Sequence, residues 1–301
     1  MTASTSWFNR NKKGDAQVSD ADSGLSDLTP TFRIMSYVLL ILGAVVMLLP
    51  FFWMISTACK TPPELNTIPI RWIPENPVCM ENLQGLYELS PNFNRYMLNT
   101  AIMTIGRTIG QLIVCSIAAY GFARFKFPGR NLIFTLCLGL LIVPFQAILI
   151  PEFILIRDIG LRNTFWAIII PHTFSAFALF LLRQAFLQIP IEVEESAEID
   201  GANPLQILWR ITLPLSRPAL IAFGVITVQA AWNDFLFPLL VANTLETRVV
   251  TIGISLLQGE RSTPFNLLMM GSFIATLPML VMFIILQRYF IEGVSMSGLK
   301  R

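Results

Sequence analysis

The chain has 301 residues, of which 54% are hydrophobic and only 13% charged. An ordinary soluble domain is nearer a quarter charged, so a water-soluble fold that must cover this much apolar surface is excluded. The net charge of +2 says little by itself; the placement of the charges says more, and no nucleic-acid partner is expected.

Residues 1–33 are expected to form a disordered cytoplasmic tail. They are rich in Ser, Asp and Asn with a basic patch at Arg10, Lys12 and Lys13, and hold too little apolar surface to offset the entropy of ordering. Residues 34–301 form the remaining domain. Six apolar segments follow, at about 34–56, 97–121, 132–156, 164–186, 218–241 and 267–290. Each approaches the ~20 apolar residues that a helix needs to cross a bilayer core, and none keeps a period of two, which argues against strands. The expected fold is therefore all-α, a polytopic membrane protein with six transmembrane helices. The first segment lies too deep in the chain, and is too long, for a secretory signal. Pro144, Pro151 and Pro171 are expected to kink their helices, since each removes a backbone donor. Trp53, Trp72 and Trp166 fall where interfacial anchors sit.

With the N-terminus inside, thirteen of the 21 Lys and Arg residues fall in inner segments and seven in outer ones, with Arg107 inside a span. That bias places both termini in the cytoplasm of a cell-membrane protein. A long, proline-rich loop at 57–96 is then outside. Cys59 and Cys79 lie in it and can pair if that compartment is oxidising; spacing alone leaves this open. Cys115 and Cys137 fall in apolar runs and behave as small hydrophobes. No cysteine or histidine pattern suggests a metal.

The inner loop 187–217 is the least membrane-like ordered stretch. Pro190 suits a first helical turn, and Glu192, Glu194 and Glu195 sit where a helix dipole favours anions. Gly201 is the natural stop, and Asn203 followed by Pro204 restarts a helix. Leu205, Leu208 and Ile211, or Trp209 and Leu213, give the second helix an apolar face, and Pro214 and Pro218 end it. A helix–glycine–helix knob suits docking into a partner's groove. The alternative, an element lying on lipid, is opposed by its glutamates, because the inner leaflet is negative.

These residues resemble a known family. Glu195-Ser196-Ala197, Asp200-Gly201-Ala202 and Ile211-Thr212-Leu213-Pro214 look like the cytoplasmic signature loop of binding-protein-dependent ATP-binding-cassette importer permeases. Leu182-Arg183-Gln184 and Arg217-Pro218-Ala219 also fit. Residues 96–100, 118–130 and 293–300, with Trp232-Asn233-Asp234-Phe235, resemble the carbohydrate branch, the maltose-type permeases. The likeness covers about residues 34–301. Ser196 departs from the family's usual alanine. The resemblance implies the MetI-like fold of type I importers and a loop, carried by Glu195, Ser196, Ala197, Asp200, Gly201, Ile211, Leu213 and Pro214, that couples to cytoplasmic ATPases. It implies a second permease subunit, two ATP-binding-cassette subunits, an extracytoplasmic solute-binding protein and surrounding membrane lipid as partners. The chain itself is expected to be a transporter subunit and no enzyme, with no bound cofactor. It lacks a phosphate-binding Gly-x-x-x-x-Gly-Lys-Ser/Thr loop, so ATP belongs to partner subunits.

Arg107 lies within the second segment, where a charge costs about 2.5–3.5 kcal/mol on insertion scales. Gln111 follows one turn later; Gln229 and Asn233, with Asp234 adjacent, form a similar group in the fifth segment. Counted at ~1.5 Å per residue, Arg107 and Asp234 are close enough in depth to pair. These five residues are candidates for a translocation path, against an ion pair that only fixes packing. His172, the only histidine, is expected to hydrogen-bond a neighbouring helix. A secondary transporter would carry inverted repeats and broken helices, and an intramembrane enzyme would need paired catalytic groups; neither pattern is clear. The solute stays open between a sugar, a glycerol phosphodiester and a polyol.

Overall fold

The computed structural model describes residues 30–258 and 264–298, with side chains to residue 287. Residues 1–29, with Arg10, Lys12 and Lys13 of the expected tail, lie outside the described residues, as do the side chains of 293–300. The chain divides into two units, Met1–Ser56 and Thr57–Arg301.

The described part of the first unit is α1 (Pro30–Ala58), whose last two residues belong to the second. Residues 30–33, expected in the tail, are instead its first turn; proline is tolerated there because that N–H has no helical partner anyway. Its 18-residue apolar window is 0% buried. A helix apolar on every side fits a hydrocarbon environment.

The second unit is built on α3 (Phe93–Arg124). Around it pack α6 (Phe165–Ile169), α7 (Ala176–Leu187), α10 (Arg217–Trp232) and α12 (Val250–Ser255), while α13 (Phe265–Gly298) packs on α10 and on α2 (Cys79–Leu89). Gly106 and Gly110 mark two close approaches of this packing. A Cβ at Gly106 would lie 2.6 Å from Ile169, and one at Gly110 2.8 Å from Thr173, so any larger residue would force those side chains to move.

Among the described residues there is no strand. Three helices are long and apolar enough to cross a bilayer: α1, α3 and the Phe265–Gln287 part of α13. Two bent pairs raise this to five: Phe165–Thr173 with α7, at 47°, and α9 (Pro204–Leu215) with α10, at 82°. The expected spans are thus less regular than the apolar runs. Segment 132–156 is two helices, α4 (Arg130–Gly139) and α5 (Phe145–Asp158). Pro144 heads α5 with extended backbone; it has no N–H to continue a helix and disfavours helix at the residue before it. Pro171 opens a 3₁₀ turn between α6 and α7, whereas Pro151 stays inside α5. Segment 218–241 ends as a helix at Trp232 and resumes as α11 (Leu236–Val241).

The stretch 57–96 was expected to be a loop, yet it contains α2. Its Leu86 is fully buried, and Asn82 donates to the carbonyls of Ala58 and Lys60 while accepting from Asn266 of α13. Cys59 and Cys79 form a disulfide. Within the loop the Lys60 Nζ donates to the Arg71 carbonyl at 2.6 Å, Arg71 pairs with Glu75, and Glu64 accepts from the backbone N–H groups of Thr61, Glu75 and Asn76. Desolvation pushes the Glu64 carboxyl up, but those three donors and the Arg71 charge outweigh it and hold it below the usual range. A cross-link over 20 residues stabilises by about 3 kcal/mol through loss of loop freedom. A Cys59→Ser, Cys79→Ala variant is therefore expected to be nicked within 60–78 by protease where the parent protein resists. Equal cleavage of the two would refute this.

Candidate functional site

Two polar assemblies stand out in the second unit, one at an end of the helix bundle and one within it. The first is the hairpin of α8 (Ile191–Ile199) and α9. Pro190 precedes α8 as its cap and does not join the first turn. The chain reverses at Gly201, whose φ of +86° is a left-handed conformation that costs side-chain-bearing residues about 1–2 kcal/mol. The Ala202 N–H donates to Ala197 and the Gly201 N–H to Glu198, closing the helix end. Asn203 restarts the chain with a reciprocal cap. Its side chain accepts from the Gln206 N–H, and the Gln206 side chain accepts from the Asn203 N–H, both at 2.9 Å.

α9 does not present the apolar face expected of it. Its middle, Leu208–Thr212, winds as a π-helix, and the extra residue per turn rotates the inward face. Ile207, Leu208 and Thr212 are buried, whereas Leu205 and Trp209 are 60% and 49% exposed. On α8, Glu194 and Ala197 face inward. Glu195, Ser196, Asp200 and Gly201 are exposed; Ile211, Leu213 and Pro214 are half-buried. Ile199, beside the turn, is 87% exposed.

Glu194 was grouped in sequence with its neighbours as a dipole-stabilised acid; it is in fact 3% exposed. Its carboxylate accepts from Tyr120 Oη (3.1 Å) and Arg124 Nε (2.9 Å) of α3 and from Thr212 Oγ1 (3.2 Å) of α9. Arg124 Nη2 also donates to the Phe186 and Ile189 carbonyls at the end of α7. The available signal was register: Glu194 is three residues from Ala197 and so shares its face.

The second assembly lies along α3. Arg107 Nη1 donates to Asp234 Oδ2 at 2.9 Å, with side chains 13% and 15% exposed. Asp234 is able to reach because α10 has already ended; it sits in the irregular stretch before α11. Glu152 of α5 lies within electrostatic reach of both; nothing in the sequence pattern singled it out. Gln111 donates to the His172 carbonyl (3.0 Å) and accepts from Thr227 (2.8 Å). Gln229 and Asn233 are not brought to this group: both are exposed, and Asn233 donates back to the Gln229 carbonyl. Thr104 Oγ1, Arg107 Nε and Thr108 Oγ1 are buried without a hydrogen-bond partner among the described residues. With Gln111 they occupy one helix face, at i, i+3, i+4 and i+7. Among the described residues the His172 ring makes no hydrogen bond to a neighbouring helix. Its Nδ1 lies 3.2 Å from the Ile168 carbonyl of its own turn, and the ring packs against Phe237 and Phe145.

Among the described residues no cluster of His, Cys, Asp or Glu could hold a metal ion.

Comparison with known proteins gives this architecture a family. Residues 111–295 match the family model of the binding-protein-dependent transport system inner membrane component. The lactose transport system permease protein LacG of Rhizobium radiobacter is 32% identical over 260 residues, covering 86% of this chain and 94% of its own. The sn-glycerol-3-phosphate transport system permease protein UgpE of Escherichia coli O1:K1 is 31% identical over 271 residues, covering 88% and 96%. A crystal structure of a bacterial ABC transporter involved in import of the acidic polysaccharide alginate shares the fold. Its TM-score is 0.76 at 22% identity, covering 87% of this chain and 99% of that one. Family model, relatives and shared fold agree, and the chain belongs to the family of multi-pass inner membrane components of binding-protein-dependent transport systems.

Proposed function

We propose that this chain is a permease subunit of an ATP-driven sugar importer. It forms the translocation path with a second permease and takes its drive from two cytoplasmic ATPase subunits through the α8–α9 hairpin. A solute-binding protein delivers the solute outside, and both termini face the cytoplasm. The chain binds no cofactor; ATP is held by its partners.

The observation that carries this proposal is the hairpin tip. Ile199, Leu205 and Trp209 project from a hairpin whose first helix is acidic. Apolar anchors on a short helix, rimmed by charge, suit a protein groove; the glutamates disfavour an anionic leaflet. Residues 187–217, and within them Glu195, Ser196, Ala197, Asp200, Gly201, Ile211, Leu213 and Pro214, are the coupling loop in this scheme.

Arg107, Gln111 and Asp234, with the unpartnered hydroxyls of Thr104 and Thr108, supply the path; exposed Gln229 and Asn233 flank it. Charge balance favours a neutral solute. Arg107 is already paired with Asp234, and Glu152 stands close by. An anion would have to displace one carboxylate and face the other where charges are poorly screened. Donors and acceptors held without net positive charge suit sugar hydroxyls. The names of the relatives support two solute classes, lactose and sn-glycerol 3-phosphate, and the charge balance argues for the first.

A cysteine at Ile199 is expected to cross-link to the ATPase subunit in membranes of cells carrying the whole transporter. Titration of the cognate binding protein with neutral oligosaccharides and with sn-glycerol 3-phosphate is expected to show binding of the former. Exclusive binding of the phosphate ester would overturn the sugar assignment while leaving the importer intact.

A further inference from the structure

We infer that Glu194 is the positioning residue that locks the hairpin to α3, so that displacement of the hairpin moves the helix lining the path. The inference rests on the hairpin being the docking element.

Docking alone does not drive a conformational change. The docked element must be stiff with respect to the part that moves. Apolar packing seats the hairpin, since Ala197, Ile207 and Leu208 join a core cluster with Tyr120, Ala123 and Phe186, but such contacts are non-directional. The directional buried contact is polar. One carboxylate collects Tyr120 and Arg124 from α3, Arg124 again through Nη2 (2.9 Å), and Thr212 from the π-helical turn of α9. The same guanidinium holds the Phe186 and Ile189 carbonyls at the end of α7. Four elements thus meet at one ion pair whose side chains are 4% and 10% exposed.

Such a pair holds direction as well as distance. Arg124 Nε and Nη2 both approach Oε1 while Tyr120 donates to Oε2, so both carboxylate oxygens are held from α3 and rotation of α8 about α3 is restricted. A buried pair adds little net stability compared with apolar packing, but breaking one side is strongly unfavourable; it therefore suits a joint that must not slip. Along α3, Arg124 lies 13 residues from Gln111 and 17 from Arg107 on the same unbroken helix. A continuous helix transmits a displacement from its end to these positions, whereas the broken spans on either side would absorb it. Thr212 has a corresponding role on the second arm. Because the π-turn brings it inward, both helices of the hairpin are tied to the same carboxylate, and the knob moves as a unit.

The test uses the complete transporter in nanodiscs, with Cys137→Ser and paired spin labels at Glu192→Cys in the hairpin, exposed and outside the docking anchors, and Leu98→Cys in α3. Pulsed dipolar spectroscopy compares the nucleotide-free and ATP·vanadate states. The distance is expected to stay the same in the parent protein, because hairpin and helix travel together. In Glu194→Gln a second distance should appear on adding nucleotide, with ATP-driven import per assembled complex falling about tenfold. Tyr120→Phe, which removes one bond and keeps the ion pair, should give a smaller change in the same direction. A parent distance that changes with nucleotide, or an assembled Glu194→Gln complex that behaves as the parent, overturns the lock. If Glu194→Gln does not assemble, an unchanged Tyr120→Phe overturns it. Loss of the Ile199 cross-link to the ATPase in the parent protein marks the failure of the docking proposal itself, and the transmission role falls with it. A retained cross-link with parent-like variants marks failure of the lock alone.

Discussion

Gly201→Pro is expected to abolish import and ATPase association while the membrane helices still assemble. Proline is fixed near φ −65°, and position 201 requires +86°. The substitution also removes the N–H that Gly201 donates to Glu198. Both errors fall at the one residue where the hairpin reverses, so α8 and α9 cannot keep their relative direction. A graded series separates this cause from general disruption. Gly201→Asn should retain most activity, since asparagine accepts the left-handed conformation. Gly201→Ala should be intermediate, at a penalty of about 1–2 kcal/mol. The measurements are pull-down of the ATPase subunits and import into proteoliposomes. Equal activity of the proline and asparagine variants would show that the turn is dispensable.

Asp234→Asn is expected to destabilise the subunit by about 3–5 kcal/mol, because it leaves the buried Arg107 charge without its partner. Thermal unfolding in detergent, followed by size exclusion, reads this directly. Pairing the change with Arg107→Gln removes the stranded charge, so the double variant recovers most of the lost stability. Import is expected to remain low in the double variant, because the polar groups facing the path have changed. Import that returns together with stability would reduce the pair to a packing contact. A switch of solute preference in assembled Asp234→Asn would instead be the strongest sign that the pair faces the solute.

Which features were legible depended on the range of the interaction that fixes them. Gly201, Asn203 and Pro204 announced the hairpin, because each acts on its own backbone or within one turn. Arg107 announced itself by its cost, and its pairing with Asp234 followed from depth. The breaks around Pro144 and Pro171 were expected as kinks and proved to be interruptions, while Pro151 was accommodated within its helix. Proline states which donor is missing; neighbouring elements decide whether the helix continues. Gln229 and Asn233 had the right spacing and still do not join the Arg107 group, since Gln229 lies on an exposed face of α10 and Asn233, just past its end, folds back onto the Gln229 carbonyl. Glu194 was hidden among four glutamates of one short helix. Composition treats them alike, and only burial sets one apart.

Taken alone, the sequence determined that this is an all-helical membrane protein with an acidic hairpin near residue 200. Hydrocarbon thickness, backbone hydrogen bonding and turn chemistry act over a few to about twenty residues. Tertiary structure alone decided that Cys59 meets Cys79, that α9 rotates through a π-turn, and that Glu194 joins Tyr120, Arg124 and Thr212. Those outcomes depend on which faces of distant helices meet. That choice is made by packing and by the need to pair every buried charge, over separations of up to 74 residues in the case of Tyr120 and Glu194.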